Sequence, residues 1–335
     1  MFRALLILCR PRTRLRTRSP PRPRQRNSPR SNRSRKRECA PPPRRHQLRS
    51  RRRLRNPRAP RLKGKTLLIT GASRGIGLAI AVRAAQDGAN LVLLAKTIEP
   101  NPKLPGTLAA SVLAVESAGG QALAVATDIR DETAVAQAVA AAVSRFGGID
   151  ILVNNASAIN LTPTAATPMK RFDLMMGVNA RGTFCCTQAC LPELIKSGAA
   201  GRNPQVLNMS PPLSMKEHWF APHVAYTLAK YGMSMCTLGH AREFRRFGIA
   251  VNSLWPRTAI NTAALQMIPG VDTNKCRTPQ ILSDAAHLIL TSDAKLNSGN
   301  FYIDDELLGQ HGVTDFDRYA VVPGTKDLIP DFFVD

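Results

Sequence analysis

The stretch KTLLITGASRGIG, residues 65–77, constrains this chain more than any other part of it. An apolar run of strand length ends in a turn with glycines at 71, 75 and 77, and helical spacing begins at once with Ile76, Ile80 and Ala84. Small residues in that place let backbone N–H groups come close to a phosphate, and the start of a helix adds positive potential there. A glycine triplet alone is a weak signal, but one set directly between a strand and a helix is a strong one. Gly71, Ala72, Ser73, Arg74, Gly75, Ile76 and Gly77 are therefore the expected phosphate-binding turn.

The same alternation continues. Further short apolar runs stand at 89–95, 122–127, 151–154, 205–209, 249–255 and 299–303, with helical segments at 132–146, 172–196 and 223–246 among them. Near-continuous apolar runs suit strands buried on both faces. Strands alternating with helices imply parallel crossovers. The expected fold is α/β: a Rossmann-type, doubly wound parallel sheet with helices on both faces, in a single domain over 63–310, with a C-terminal extension over 311–335. The connection TIEPNPKLPGT, 97–107, carries three prolines and is expected to be an ordered surface loop near the phosphate-binding edge. No internal repeat is present.

The formal net charge of +24 is confined to one end. Residues 1–65 hold 25 Arg and Lys and a single acid, Glu38, whereas the remaining residues are balanced at 22 of each sign. This Arg-, Pro- and Ser-rich stretch has too little apolar surface to offset the entropy of ordering, so residues 1–62 are expected to be a disordered basic tail. Three readings of it stay open: a mitochondrial transit peptide, a nucleic-acid-binding arm, and sequence upstream of the true start. The first sets the expected location as mitochondrial, with peroxisome or cytoplasm as alternatives. With no aromatic beyond Phe2 to stack on bases, no specific nucleic acid is expected. The seven cysteines form no CxxC pair and no zinc spacing, so no metal is expected, and their odd count suits a reducing compartment. No run approaches the length of a transmembrane helix.

Asp128-Ile129, NNAS at 154–157, VNARG at 178–182 and YTLAK at 226–230 add to the glycine turn. Together they resemble the short-chain dehydrogenase/reductase family across about residues 63–310. The resemblance implies contact of Asp128 with an adenine ring, Asn155 at a strand end beside the cofactor, and an Asn179 that anchors a water for proton relay. It implies that Lys230 holds the nicotinamide ribose and that the Ile260 backbone meets the nicotinamide amide. NMSPPLS, LWPRTAINTAA, GNFYIDDELL and PDFFVD are similar to one branch of the family, whose members often carry a further sterol-carrier-like lipid-binding domain. The branch is associated with peroxisomes and mitochondria.

Cofactor preference follows from charge. An acid at the end of the second strand would repel a ribose 2′-phosphate, but that end reads Ala95-Lys96, and Arg74 sits in the turn. Two cations there favour NADP. Tyr226 and Lys230 lie four apart on one helix face. A tyrosine can give a proton to the alkoxide left by hydride transfer if its pKa, about 10 when free, is lowered, and a neighbouring ammonium lowers it.

In the family the strand before this helix ends in two small polar residues, and the second hydrogen-bonds the substrate oxygen. Here the order is Ser210 and then Pro211, which has no donor. Ser210, Ser214 or neither remains the stabilising group. The expected catalytic set is Tyr226, Lys230, Ser210 and Asn179. The apolar segment from Ala263 to Ile268 resembles a mobile lid and suits a hydrophobic substrate, fatty or steroid-like. A homo-oligomer through the two long helices is implied by the resemblance. The expected activity is NADP-dependent interconversion of a carbonyl and a secondary alcohol. The alternative, prompted by Pro211, is a nucleotide-binding sensor or assembly protein with little catalysis.

Overall fold

The computed structural model describes residues 61–96, 98, 106–268 and 270–334. The basic tail up to Pro60, and the proline-rich part of the 97–107 loop, lie outside the described residues. Seven strands form one sheet: β1 (Thr66–Thr70), β2 (Asn90–Ala95), β3 (Gln121–Ala126), β4 (Ile151–Asn154), β5 (Gln205–Asn208), β6 (Ala250–Trp255) and β7 (Phe301–Ile303). All pair in parallel in the order β3-β2-β1-β4-β5-β6-β7. This is the doubly wound order, which opens a crevice at the carboxyl ends of β1 and β4, where the winding reverses.

Period-two alternation explains why the strands read as unbroken apolar runs. Leu67, Ile69, Leu91, Leu93 and Val153 face one core, and Leu68, Val92, Leu94 and Leu152 face the other. The first core is closed by α1 (Gly75–Ala85), α2 (Leu108–Ser117), α7 (Gln280–Leu290) and α8 (Asp304–Gln310). The second is closed by α3 (Glu132–Phe146), α5 (Gly182–Ala199) and the end of α6 (Val224–Glu243). Helix α3 starts where the Asp131 carboxylate accepts from Thr133 N and Ala134 N, and it stops at Gly147, whose φ of 82° suits a left-handed cap.

Three differences from the sequence reading have physical causes. The helix expected over 172–196 is not continuous: α4 (Met169–Met175) runs through a π-helical stretch, Met176–Arg181, before α5 begins. The wider turn swings Asn179 inward, where its amide reaches the backbone of Ala158. The body also begins earlier than residue 63. The Arg61 and Leu62 N–H groups donate to Asp87 Oδ2, and Leu62 is buried in the first core.

Residues 311–334, expected as an extension, return over the body. Val321 N donates to Cys276 O, Ala259 N to Ile329 O and Asp331 N to Arg257 O. These bonds carry the chain across the carboxyl end of the sheet. No helix among the described residues is long and apolar enough to cross a membrane.

Candidate active site

The glycine turn is held from beneath by Asn155. Its side-chain amide donates to the carbonyls of Thr70 and Gly71 at 2.9 and 3.1 Å, while Asn155 N and Ala156 N both donate to Thr70 Oγ1. A Cβ on Gly77 would stand 2.5 Å from Asn155 Nδ2 and 2.6 Å from Gly71 O. Gly71 has φ 66°, and a Cβ there would meet Ala156 Cα at 2.9 Å. Both positions therefore require glycine. Ala72 and Ser73 are buried, with Ala72 N bonded to Leu94 O. At the start of α1 the residue before the first turn, Arg74, supplies no capping side chain, and no acid occupies the turn itself. The first N–H groups of this helix are thus free of an internal cap, as an anion site needs.

A cavity of about 460 Å³ extends from this turn past Lys96, Asp128, Ile129 and Arg130 to Ala156 and Thr262. Asp128 pairs with Arg130 at 2.6 Å and with Lys96 at 3.0 Å. The Arg130 guanidinium, and then Lys96, hold its carboxyl well below the usual carboxylate range. Arg74 Nη2 donates to Gly106 O, while its buried Nε has no partner. Among the described residues, three cations thus stand against one carboxylate at this corner. Ile129 packs under Gly182, where a Cβ would meet its Cδ1 at 2.6 Å. That contact is the packing role of the glycine in VNARG.

A second cavity, of about 190 Å³, adjoins the first and shares Ile76, Asn155 and Thr262 with it. Tyr226 and Lys230 face it from successive turns of α6, and Met209, Trp255, Ile260, Leu265, Ile268 and Phe332 make most of its wall apolar. Lys230 Nζ donates to Met209 O at 3.0 Å and lies 5.0 Å from the centre of the Trp255 ring. Burial brings the Lys230 ammonium down to about 8, with Asp331 opposing the shift.

Tyr226 departs from the sequence reading. Burial pushes its phenol up rather than down, and Asp331 adds to the rise. The reason is the chain's last segment. Phe333 is 2 % exposed and packs on Tyr226, Trp219, Tyr231 and Trp255, while Phe332 packs on Tyr226 and His223. Desolvation beneath these rings is the largest cause of the rise.

The remaining sequence candidates lie elsewhere. Ser210 Oγ is 2.8 Å from Ser253 Oγ, which in turn meets Thr237 Oγ1 at 2.7 Å. It faces the same side as Asn208, whose amide donates to Thr237. The shift of one residue turns the hydroxyl away from the cavity, so Ser210 does not face substrate there and is withdrawn as the stabilising group. Pro211 uses its carbonyl to accept from Ser234. Ser214 is pinned by its backbone to the Tyr231 hydroxyl and does not line the cavity. Asn179 spends both ends of its amide on the Ala158 backbone, at 2.8 and 2.9 Å, and so positions the loop after β4.

Residues 65–269 match the family model for short chain dehydrogenases. The chain belongs to that family. It is 55 % identical over 276 residues to hydroxysteroid dehydrogenase-like protein 2 of Danio rerio, covering 82 % of this chain but only 65 % of the relative's length. The human protein of that name is 53 % identical over 281 residues, with 83 % and 65 % covered. Among solved structures, a Xanthomonas campestris protein described as a dehydrogenase superposes with a TM-score of 0.79 at 58 % identity, covering 82 % of this chain and 99 % of the other. Among more distant structures, each 25 % identical, a metagenomic short-chain oxidoreductase has been solved with NADP (TM-score 0.59) and an NADH-dependent reductase with NAD (TM-score 0.60). The family therefore uses either dinucleotide, and the choice rests on the corner around Lys96.

Sequence reasoning missed Asp331, Phe332 and Phe333 as parts of this short-chain dehydrogenase site. No periodicity marks them, and they lie beyond the stretch the family model covers. Their signals were two adjacent aromatics and the branch-like run PDFFVD, neither of which points to a cavity wall.

Proposed function

We propose that this chain is an NADP(H)-dependent oxidoreductase that interconverts a hydrophobic carbonyl, fatty or steroid-like, and its secondary alcohol. The observation that carries this reading is the small apolar cavity into which Tyr226 and Lys230 project, adjoining the glycine-turn cavity. The residues present suit the dinucleotide: an uncapped helix start for the pyrophosphate, Asp128 and Ile129 for the adenine, and Lys230 and Ile260 for the nicotinamide end. Arg74, with its unpartnered Nε, and Lys96 would hold a 2′-phosphate. When bound, NADPH supplies the hydride. Tyr226 Oη gives a proton to the substrate oxygen in reduction and takes one in oxidation. Lys230 stabilises the phenolate that results. Trp255, Phe332 and Phe333 keep water out of the cavity, which strengthens each polar contact inside it.

A second reading, a nucleotide-bound sensor with little turnover, is favoured by one observation. Pro211 offers no donor where the family has one, and Ser210 faces away. Fluorescence titration with NADPH and NADH, followed by a panel of ketones, separates the two. NADPH preference with oxidation on some ketone supports the enzyme, whereas tight binding with no oxidation across the panel supports the sensor.

Phe184 on α5 and Leu228, Met235 and Leu238 on α6 are exposed apolar side chains. They support a homo-oligomer through these helices, which light scattering checks. The basic composition of residues 1–62 supports a mitochondrial address, which imaging of the full chain against one lacking that segment checks.

A further inference from the structure

Among the described residues, Asp331 is the one carboxylate in the wall of the cavity that holds Tyr226 and Lys230. It is placed by the chain that crosses the end of the sheet: Asp331 N donates to Arg257 O at 2.9 Å and Trp255 Nε1 to Phe332 O at 2.7 Å. Phe333 is the anchor, locked among four aromatic side chains. Among the described residues, the carboxyl accepts one hydrogen bond, from the adjacent Phe332 N–H to Oδ1 at 2.7 Å. Lys230 directs its ammonium to Met209 O and the Trp255 ring, and no ion pair joins it to Asp331 among the described residues.

Resting on the oxidoreductase reading above, we propose that Asp331, as the neutral acid, donates a hydrogen bond to the substrate's carbonyl oxygen and fills the role that Pro211 leaves without a donor. A carboxylic acid kept neutral in an apolar site is a competent donor to a developing oxyanion. Reduction stays balanced: the carbonyl oxygen takes its proton from Tyr226, and Asp331 keeps its own. Around the carboxyl, burial raises its pKa to about 7, Lys230 of α6 opposes this, and Asp304 at the start of α8 adds to it. Burial pushes the Tyr226 phenol and the Cys276 thiol up, and the charge of Asp331 adds to both. Since the acid form is the donor, reduction falls as pH rises through about 7.

The test uses the full chain and compares wild type with Asp331→Ala and Asp331→Asn in NADPH-dependent ketone reduction, from about pH 5.5 to about pH 9. NADPH affinity and melting temperature are measured alongside. The expected result is a loss of roughly 10²-fold in kcat/KM for Asp331→Ala at pH 6, with NADPH affinity retained. Asp331→Asn, whose amide still donates, stays within about 10-fold of wild type and loses the fall through neutrality. Equal turnover in wild type and Asp331→Ala overturns this assignment alone. So does a loss in Asp331→Asn as large as in Asp331→Ala, the mark of a residue that only docks the segment. Tight NADPH binding with no wild-type turnover overturns the oxidoreductase reading and this one with it.

Discussion

The hydroxyls of Ser210 and Ser253 lie 2.8 Å apart on the side of the sheet that α6 covers, away from the cavity that holds Tyr226. Ser210 thus belongs to a buried polar layer that runs through Thr237 and Asn208 to Asn154 and Thr187. Ser210→Ala should leave kcat/KM within about twofold of wild type and cost about 1–2 kcal/mol of stability, because Ser253 and Thr237 keep each other as partners. Denaturant unfolding alongside ketone kinetics reads both effects. A 10²-fold loss of turnover without a loss of stability would return Ser210 to the site.

Tyr226→Phe keeps the ring that packs on Phe333 and removes only the proton donor. Turnover should fall by about 10²–10⁴ while NADPH affinity is retained. Single-turnover rates beside fluorescence titration give this comparison. Unchanged rates in the variant would rule out the phenol as acid.

Cofactor preference should shift at Lys96. Its ammonium is exposed and tied to Asp128, so removing it leaves the fold intact. Lys96→Ala should weaken NADPH by about 10-fold and leave NADH nearly unchanged, as expected for one charge-assisted contact to a 2′-phosphate. Calorimetry with both nucleotides is the check, and equal weakening of the two would refute the role.

Acid stability should depend on Asp150. Burial alone would raise its carboxyl, but hydrogen bonds from Arg202, Ser197 and Thr66 N outweigh it, so the folded pKa lies below the ordinary one. A depressed carboxylate stabilises above the unfolded value of about 3.9, and its contribution disappears as pH falls through the folded value. Asp150→Asn should cost about 2–4 kcal/mol at pH 7 and much less near pH 3, measured by urea unfolding at both. A pH-independent loss would assign the effect to packing.

The sheet was legible because both its faces are covered. Runs such as NLVLLA, of strand length and set between turns and helical segments, suit interior strand, and the turn at 71–77 fixed where the winding starts. Tyr226 and Lys230 were legible from their spacing and the motifs around them. Two things were not. The π-helical stretch leaves no mark on the apolar pattern, since it is set by a contact between Asn179 and Ala158 that lie 21 residues apart. The raised phenol of Tyr226 depends on Phe333, more than a hundred residues downstream, and burial by so distant a side chain is written in no local pattern.

The order of synthesis follows from the same segment. A chain emerging from the ribosome completes the last strand at Ile303, and with it every hydrogen bond of the sheet. The rings of Phe332 and Phe333, which pack on Tyr226, lie about thirty residues further along the chain. In chain order, then, every strand of the sheet precedes the two rings that close over Tyr226.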